Sequence, residues 1–150
     1  MDESLEDAME EIKRVDHLFY VSLKYTRTVD MMRTMVGRLI STFDFGMMSL
    51  LDHSKAKKKI KEIPLTPISK CELLNEVYTE DIKKYIDMYL LFRKLVRMPY
   101  TKREEYRRHV TMTSQLGDQM VETNIDILEE YYAKTKEFLL FVREIVRSKK

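Results

Sequence analysis

Apolar residues recur along most of this chain at steps of three and four, the spacing that lines one face of a helix. From Glu3 to about Tyr25 the positions are Leu5, Met9, Ile12, Phe19 and Leu23, with Val15 and Leu18 beside them. The acids Asp2, Glu3, Glu6 and Asp7 fall in the first turns, where the helix dipole favours negative charge. The Thr-Arg-Thr segment at 26–28 breaks the pattern, and Thr28 is placed to cap a second helix. That helix carries Val29, Met32, Val36, Leu39, Ile40, Phe43, Met47, Leu50 and Leu51. Gly37 and Gly46 lie inside it at a cost of about 1 kcal/mol each relative to Ala, which points to close helix packing at both. The helix frays into a lysine-rich run, and Pro64 and Pro67 end it, leaving a loop over 63–69.

Ser69 and Glu72 stand at capping-box spacing, which predicts a short helix from near Lys70 to about Tyr78, and Thr79 is placed to cap the next. The stretch from Glu80 to Arg97 is apolar on nearly every side. Ile82, Tyr85, Tyr89, Phe92 and Val96 form one stripe, while Ile86, Met88, Leu90, Leu91 and Leu95 fill most of the remaining circumference. A helix of that kind must be surrounded by other elements, so it is predicted at the centre. Pro99 closes it. Thr101 and Glu104 repeat the capping-box spacing and predict a fifth helical segment up to Gly117, with Tyr106 and Val110 turned inward. A last helix follows from Met120 and Val121 through Ile125, Leu128, Tyr132, Thr135, Leu139, Val142 and Val146. The expected fold is all-α: one domain over 1–150, an up-and-down bundle of about five to six helices around a largely buried central helix.

Composition supports that class and narrows the functions. Three Gly and three Pro are too few for a sandwich or barrel full of tight turns. The 27 basic residues nearly balance 25 acidic ones, so any charged partner must be argued from local clusters. A single cysteine, Cys71, excludes an internal disulfide framework and fits a reducing cytoplasm. The acidic start MDESLEDAMEE lacks the form of a signal peptide, and no stretch approaches the roughly 18 apolar residues of a membrane span. A soluble cytoplasmic protein with no membrane partner is expected.

Little in the chain resembles a catalytic motif. The histidines are His17, His53 and His109, and none has a carboxylate three residues before it, so no paired-metal helical site is expected and no cofactor is implied. The densest charge is Lys55, Lys57, Lys58, Lys59 and Lys61, whose place at a helix end suits the dipole and whose alternative use is phosphate binding. A second basic region holds Arg93, Lys94, Arg97, Lys102, Arg103, Arg107, Arg108 and His109 against Glu104 and Glu105. In one regular helix Arg103 and His109 would stand about 120° apart, so a shared target would need a non-helical start to the segment or a second subunit. The methionines Met31 and Met35 fall off the face of Val29, Val36 and Phe43, and a second apolar face there would suit a homodimer seam.

The order of these features resembles the HEPN helical domain family. IDILEEYYAKTKEFLLFVREIV is similar to its closing helix, FDFGMMSLLDHSKAKKKI to the end of its long second helix, and REEYRRHV to its Arg-polar-spacer-His motif, with Arg103, Glu104 and His109 at the matching positions. Glu104 departs from the Asn, Asp or His usual there. The resemblance implies a homodimer and a metal-independent RNA cleavage in which His109 is the general acid or base and Arg103 grips the phosphate. It equally implies non-catalytic members that partner nucleotidyltransferases or bind nucleotides, and Glu104 favours that reading. Three functions therefore stand: an interaction or nucleotide/RNA-associated module; a ribonuclease using Arg103 and His109; and a nucleic-acid-binding bundle using Arg97, Lys102, Arg107 and Arg108.

Overall fold

In the computed structural model, which describes residues 3–147, the chain forms five helical rods and one small antiparallel sheet. The first rod is α1 (Glu3–His17), a single π-helical segment (Leu18–Ser22) and α2 (Leu23–Tyr25), running without interruption to the break at 26–28. Glu3 and Glu6 lie in its first turn as expected; Asp2 falls outside the described residues. Thr28 then starts α3 (Val29–Ala56), its extended backbone letting the hydroxyl accept from the Met31 N–H at 3.1 Å.

The centre of the bundle is α3, which packs on α1, α4 (Pro67–Tyr78), α5 (Glu80–Arg97) and α6 (Ile125–Arg147). This corrects the expectation that Glu80–Arg97 is central. The helix has the predicted bounds, but Met88, Leu90, Leu91 and Val96 are only half-buried, because α5 is a flank. In α3, by contrast, Val29, Met32, Met35, Val36, Leu39, Phe43, Leu50 and Leu51 have no exposed surface. The Phe43 ring stacks on Phe138 of α6 at 4.4 Å and meets Phe92 of α5 edge-on at 5.8 Å. Gly46 permits the α3–α6 approach: a Cβ there would lie 2.8 Å from the Phe138 ring. A Cβ added at Gly37 would meet no other described element within 4 Å, so the close packing expected there is not found among the described residues. Met35 is wholly buried as well, which removes it from any seam between copies.

Two helix starts differ from expectation for local reasons. The N-cap of α4 is Thr66, whose hydroxyl accepts from the Ser69 N–H at 3.1 Å while Pro67 takes the first helical position, so Ser69 sits inside the helix. Thr79 makes no side-chain cap and is a link with φ of 48° between α4 and α5.

The all-α expectation fails over 100–123. The segment forms β1 (Tyr100–Arg103), β2 (Thr111–Leu116) and β3 (Gln119–Thr123), with β2 in the middle. Thr111, Thr113, Val121 and Thr123 are β-branched and suit strands, and Gly117 at φ 65° opens a two-residue turn between β2 and β3. Gly117 therefore marks a hairpin and not a helix end, and Met120 and Val121 belong to β3. The last helix starts only at Ile125, where Asn124 Oδ1 accepts from the Ile127 N–H at 2.9 Å. Among the described residues no helix is long and apolar enough to cross a membrane.

Candidate functional site

Pairing of the strands brings together residues that one helix would have separated. Arg103 stands opposite Thr111, and Glu122 stands opposite Thr113, two positions along the same strand. Side chains alternate across a sheet, so Arg103, Thr111 and Glu122 share one face. His109 lies two residues before Thr111, whose hydroxyl donates to the His109 carbonyl at 2.8 Å. Arg103, His109 and Arg108 thus line one cleft of about 390 Å³, closed by Arg27, by Glu104 and Glu122, and by Asn124–Asp126 at the start of α6. The condition the sequence set, a non-helical route between Arg103 and His109, is met within one chain.

The loop over 104–110 is held to the helices at its middle. The Tyr106 N–H donates to the Arg27 carbonyl at 2.6 Å, and the Glu105 carboxylate accepts from the Val29 N–H at 2.7 Å, supplementing the cap of α3. Glu104 and Tyr106 take φ of 55° and 65°, a region L side chains enter at some cost. The expectation that Tyr106 turns inward with Val110 is corrected here: Tyr106 is exposed and only Val110 is buried.

Inside the cleft the charges are mixed. The Arg103 guanidinium meets Glu122 at 3.3 Å, but both side chains are more than half exposed, so the pair is weak and open to exchange. Arg27, like Glu122, is a residue that sequence reasoning missed. It is partly buried, and its Nε is shut from solvent with no hydrogen-bond partner among the described residues. The only sequence signal was an arginine inside the break at 26–28, which reads as an ordinary loop charge.

The other predicted phosphate contacts lie outside the cleft. Lys102 pairs with Asp30 at 3.5 Å, Arg97 is exposed at the end of α5, and Arg107 is exposed on the loop. Two other chemical groupings are structural. Tyr89 of α5 donates to Asp44 of α3 at 2.6 Å, and Arg93 reaches the same phenol at 3.4 Å. Burial raises the Asp44 carboxyl above its usual range, against the Tyr89 hydrogen bond and the charges of Arg93 and Lys70. Burial also pushes the Cys71 thiol up to about 11, so it is protonated and inert near neutrality. The larger cavity, about 1030 Å³, lies at the opposite end of α3 between the start of α1 and the end of α6 and is rimmed by acids, and it holds none of the predicted site residues. Among the described residues no group of three or more His, Cys, Asp or Glu is placed to hold a metal ion.

The fold is a mostly helical bundle that carries a three-stranded sheet at one end. Neither a family model, nor a curated protein, nor a solved structure matches the chain.

Proposed function

We propose that the protein is a non-catalytic, nucleotide- or RNA-associated helical module that holds a phosphate group in the cleft between the sheet and the start of α6. One observation carries this: Arg27, Arg103 and Arg108, from separate parts of the chain, line one cleft with His109, and the Arg27 Nε has no hydrogen-bond partner among the described residues. Guanidinium groups offer phosphate oxygens paired donors in the planar geometry arginine favours, and three of them stand on this cleft. The carboxylates of Glu104, Glu122 and Asp126 offset the three arginines, so the attraction is local and suits one or two phosphates more than a long backbone track.

A second reading, cleavage of RNA with His109 as general acid or base and Arg103 on the phosphate, is favoured by the shared cleft. Glu104, which stands where the motif usually has Asn, Asp or His, counts against it. Incubating RNA with the protein in excess chelator, beside His109→Ala, separates the two. Intact RNA that is nevertheless bound supports the module; cleavage to cyclic-phosphate ends, lost in the variant, establishes the nuclease instead. A second copy of the chain and a nucleotidyltransferase partner belong to the same proposal through the HEPN resemblance, and a cytoplasmic setting through the single Cys71; light scattering of the purified protein tests the first of them.

A further inference from the structure

The loop joining α3 to α4 combines two features that the cleft does not use. Lys55, Lys57, Lys58, Lys59 and Lys61 are all exposed, and Lys55, Lys58 and Lys61 form no ion pair with a described residue. The loop turns towards α4, where the Lys59 ammonium lies 5.8 Å from the Tyr78 ring. Beyond the lysines, between Pro64 and Pro67, Leu65 is 94% exposed, and Ile68 at the start of α4 is 52% exposed. A helix-end role accounts for lysines against the α3 carbonyls but not for a leucine held in water beside them.

We infer that the stretch from Lys55 at the end of α3 to Ile68 at the start of α4 is a reversible docking surface for an anionic lipid bilayer, with lysines on the headgroups and Leu65 and Ile68 in the interfacial layer. Three arguments favour this occupant. A cluster of four to eight lysines is the charge that draws a protein to an anionic leaflet. Nucleic acid would match the lysines yet leave Leu65 and Ile68 in water. A specific protein interface buries about 800 Å² per partner, far more than two aliphatic side chains provide. Docking of this kind lies on the membrane and requires no spanning helix. The loop stands at the opposite end of the 28-residue α3 from the cleft, about 40 Å away at 1.5 Å per residue, so a docked molecule keeps its cleft open.

The test is co-sedimentation of the full chain with phosphatidylcholine vesicles, with and without a one-third share of phosphatidylserine. Wild type is expected to pellet with the anionic vesicles only and to be released in about 1 M salt, where the screening length is about 3 Å. Replacing Lys58, Lys59 and Lys61 together by Gln should weaken partitioning about a hundredfold, at about fivefold for each lysine. Leu65→Ser combined with Ile68→Ser should weaken it about tenfold or more with unchanged far-UV dichroism, since both side chains are exposed. The inference is overturned if neutral vesicles bind equally or anionic ones do not bind. It is also overturned if the Leu65 and Ile68 double variant binds as wild type does, leaving only adventitious charge, or if the lysine variant loses RNA affinity while vesicles never bind.

Discussion

Phe43, Phe92 and Phe138 meet in the middle of the helices, whereas Arg103, His109 and Glu122 line one cleft at the rim of the sheet. The first group is assembled by packing: each ring sits on its own helix at a position that a period of 3.6 turns inward, and the helices close around α3. The second is assembled by register, which sets Arg103 opposite Thr111 and Glu122 opposite Thr113 across turns of the chain. Fully buried rings tolerate no change of volume, while the exposed ion pair at the rim is free to exchange partners. The rigid region therefore sets stability, and the adaptable one is where a ligand is to be sought.

Substitutions can break that contrast, and the largest effect is expected in the rings. Phe138→Ala should cost about 3–5 kcal/mol in chemical denaturation, since a fully buried ring leaves a cavity against Phe43. Gly46→Ala should cost about 1–3 kcal/mol despite its better helix propensity, because the added carbon meets the Phe138 ring at 2.8 Å. Gly37→Ala, with open space around it, should instead stabilise by up to about 1 kcal/mol. An equal sign for the two glycine variants would contradict the account of α3–α6 packing. Glu105→Ala should cost only about 1 kcal/mol globally, through the lost cap at Val29, while amide exchange over 104–110 accelerates.

The smallest effect concerns pH. A raised carboxyl at Asp44 means that the folded chain holds this proton more tightly than the unfolded chain. Its contribution is present in full below the ordinary carboxylate range and is lost as pH rises through the folded value. Asp44→Asn should therefore flatten the fall in stability across mildly acidic pH, as followed by thermal melts; an unchanged slope would place the proton uptake elsewhere.

The helical half of this picture was legible in the sequence because helical contacts are local. Thr28 was readable as a cap, and Glu80–Arg97 as a helix, from residues three and four apart. Which helix is central was not readable, since amphipathic stripes show how wide an apolar face is and not how many neighbours cover it. The sheet was missed because Thr101 and Glu104 imitate a capping box, although the β-branched residues flanking Gly117 and Asp118 carried a hairpin signal. Arg103 and His109 were named from the sequence, and their shared cleft depends on the strand register that no spacing rule within a helix could supply. Arg27 and Glu122 come to the cleft from 26–28 and from β3, too far along the chain for a motif to join them.

The central claim is that this rim holds a phosphate, and the most direct measurement is the salt dependence of binding to a short single-stranded RNA, by fluorescence anisotropy, for wild type and Arg108→Ala. The account predicts measurable affinity that falls with salt, a loss of about tenfold in the variant, and a log–log slope shallower by about 1. No binding by the wild type, or equal affinity and slope for both proteins, would contradict it.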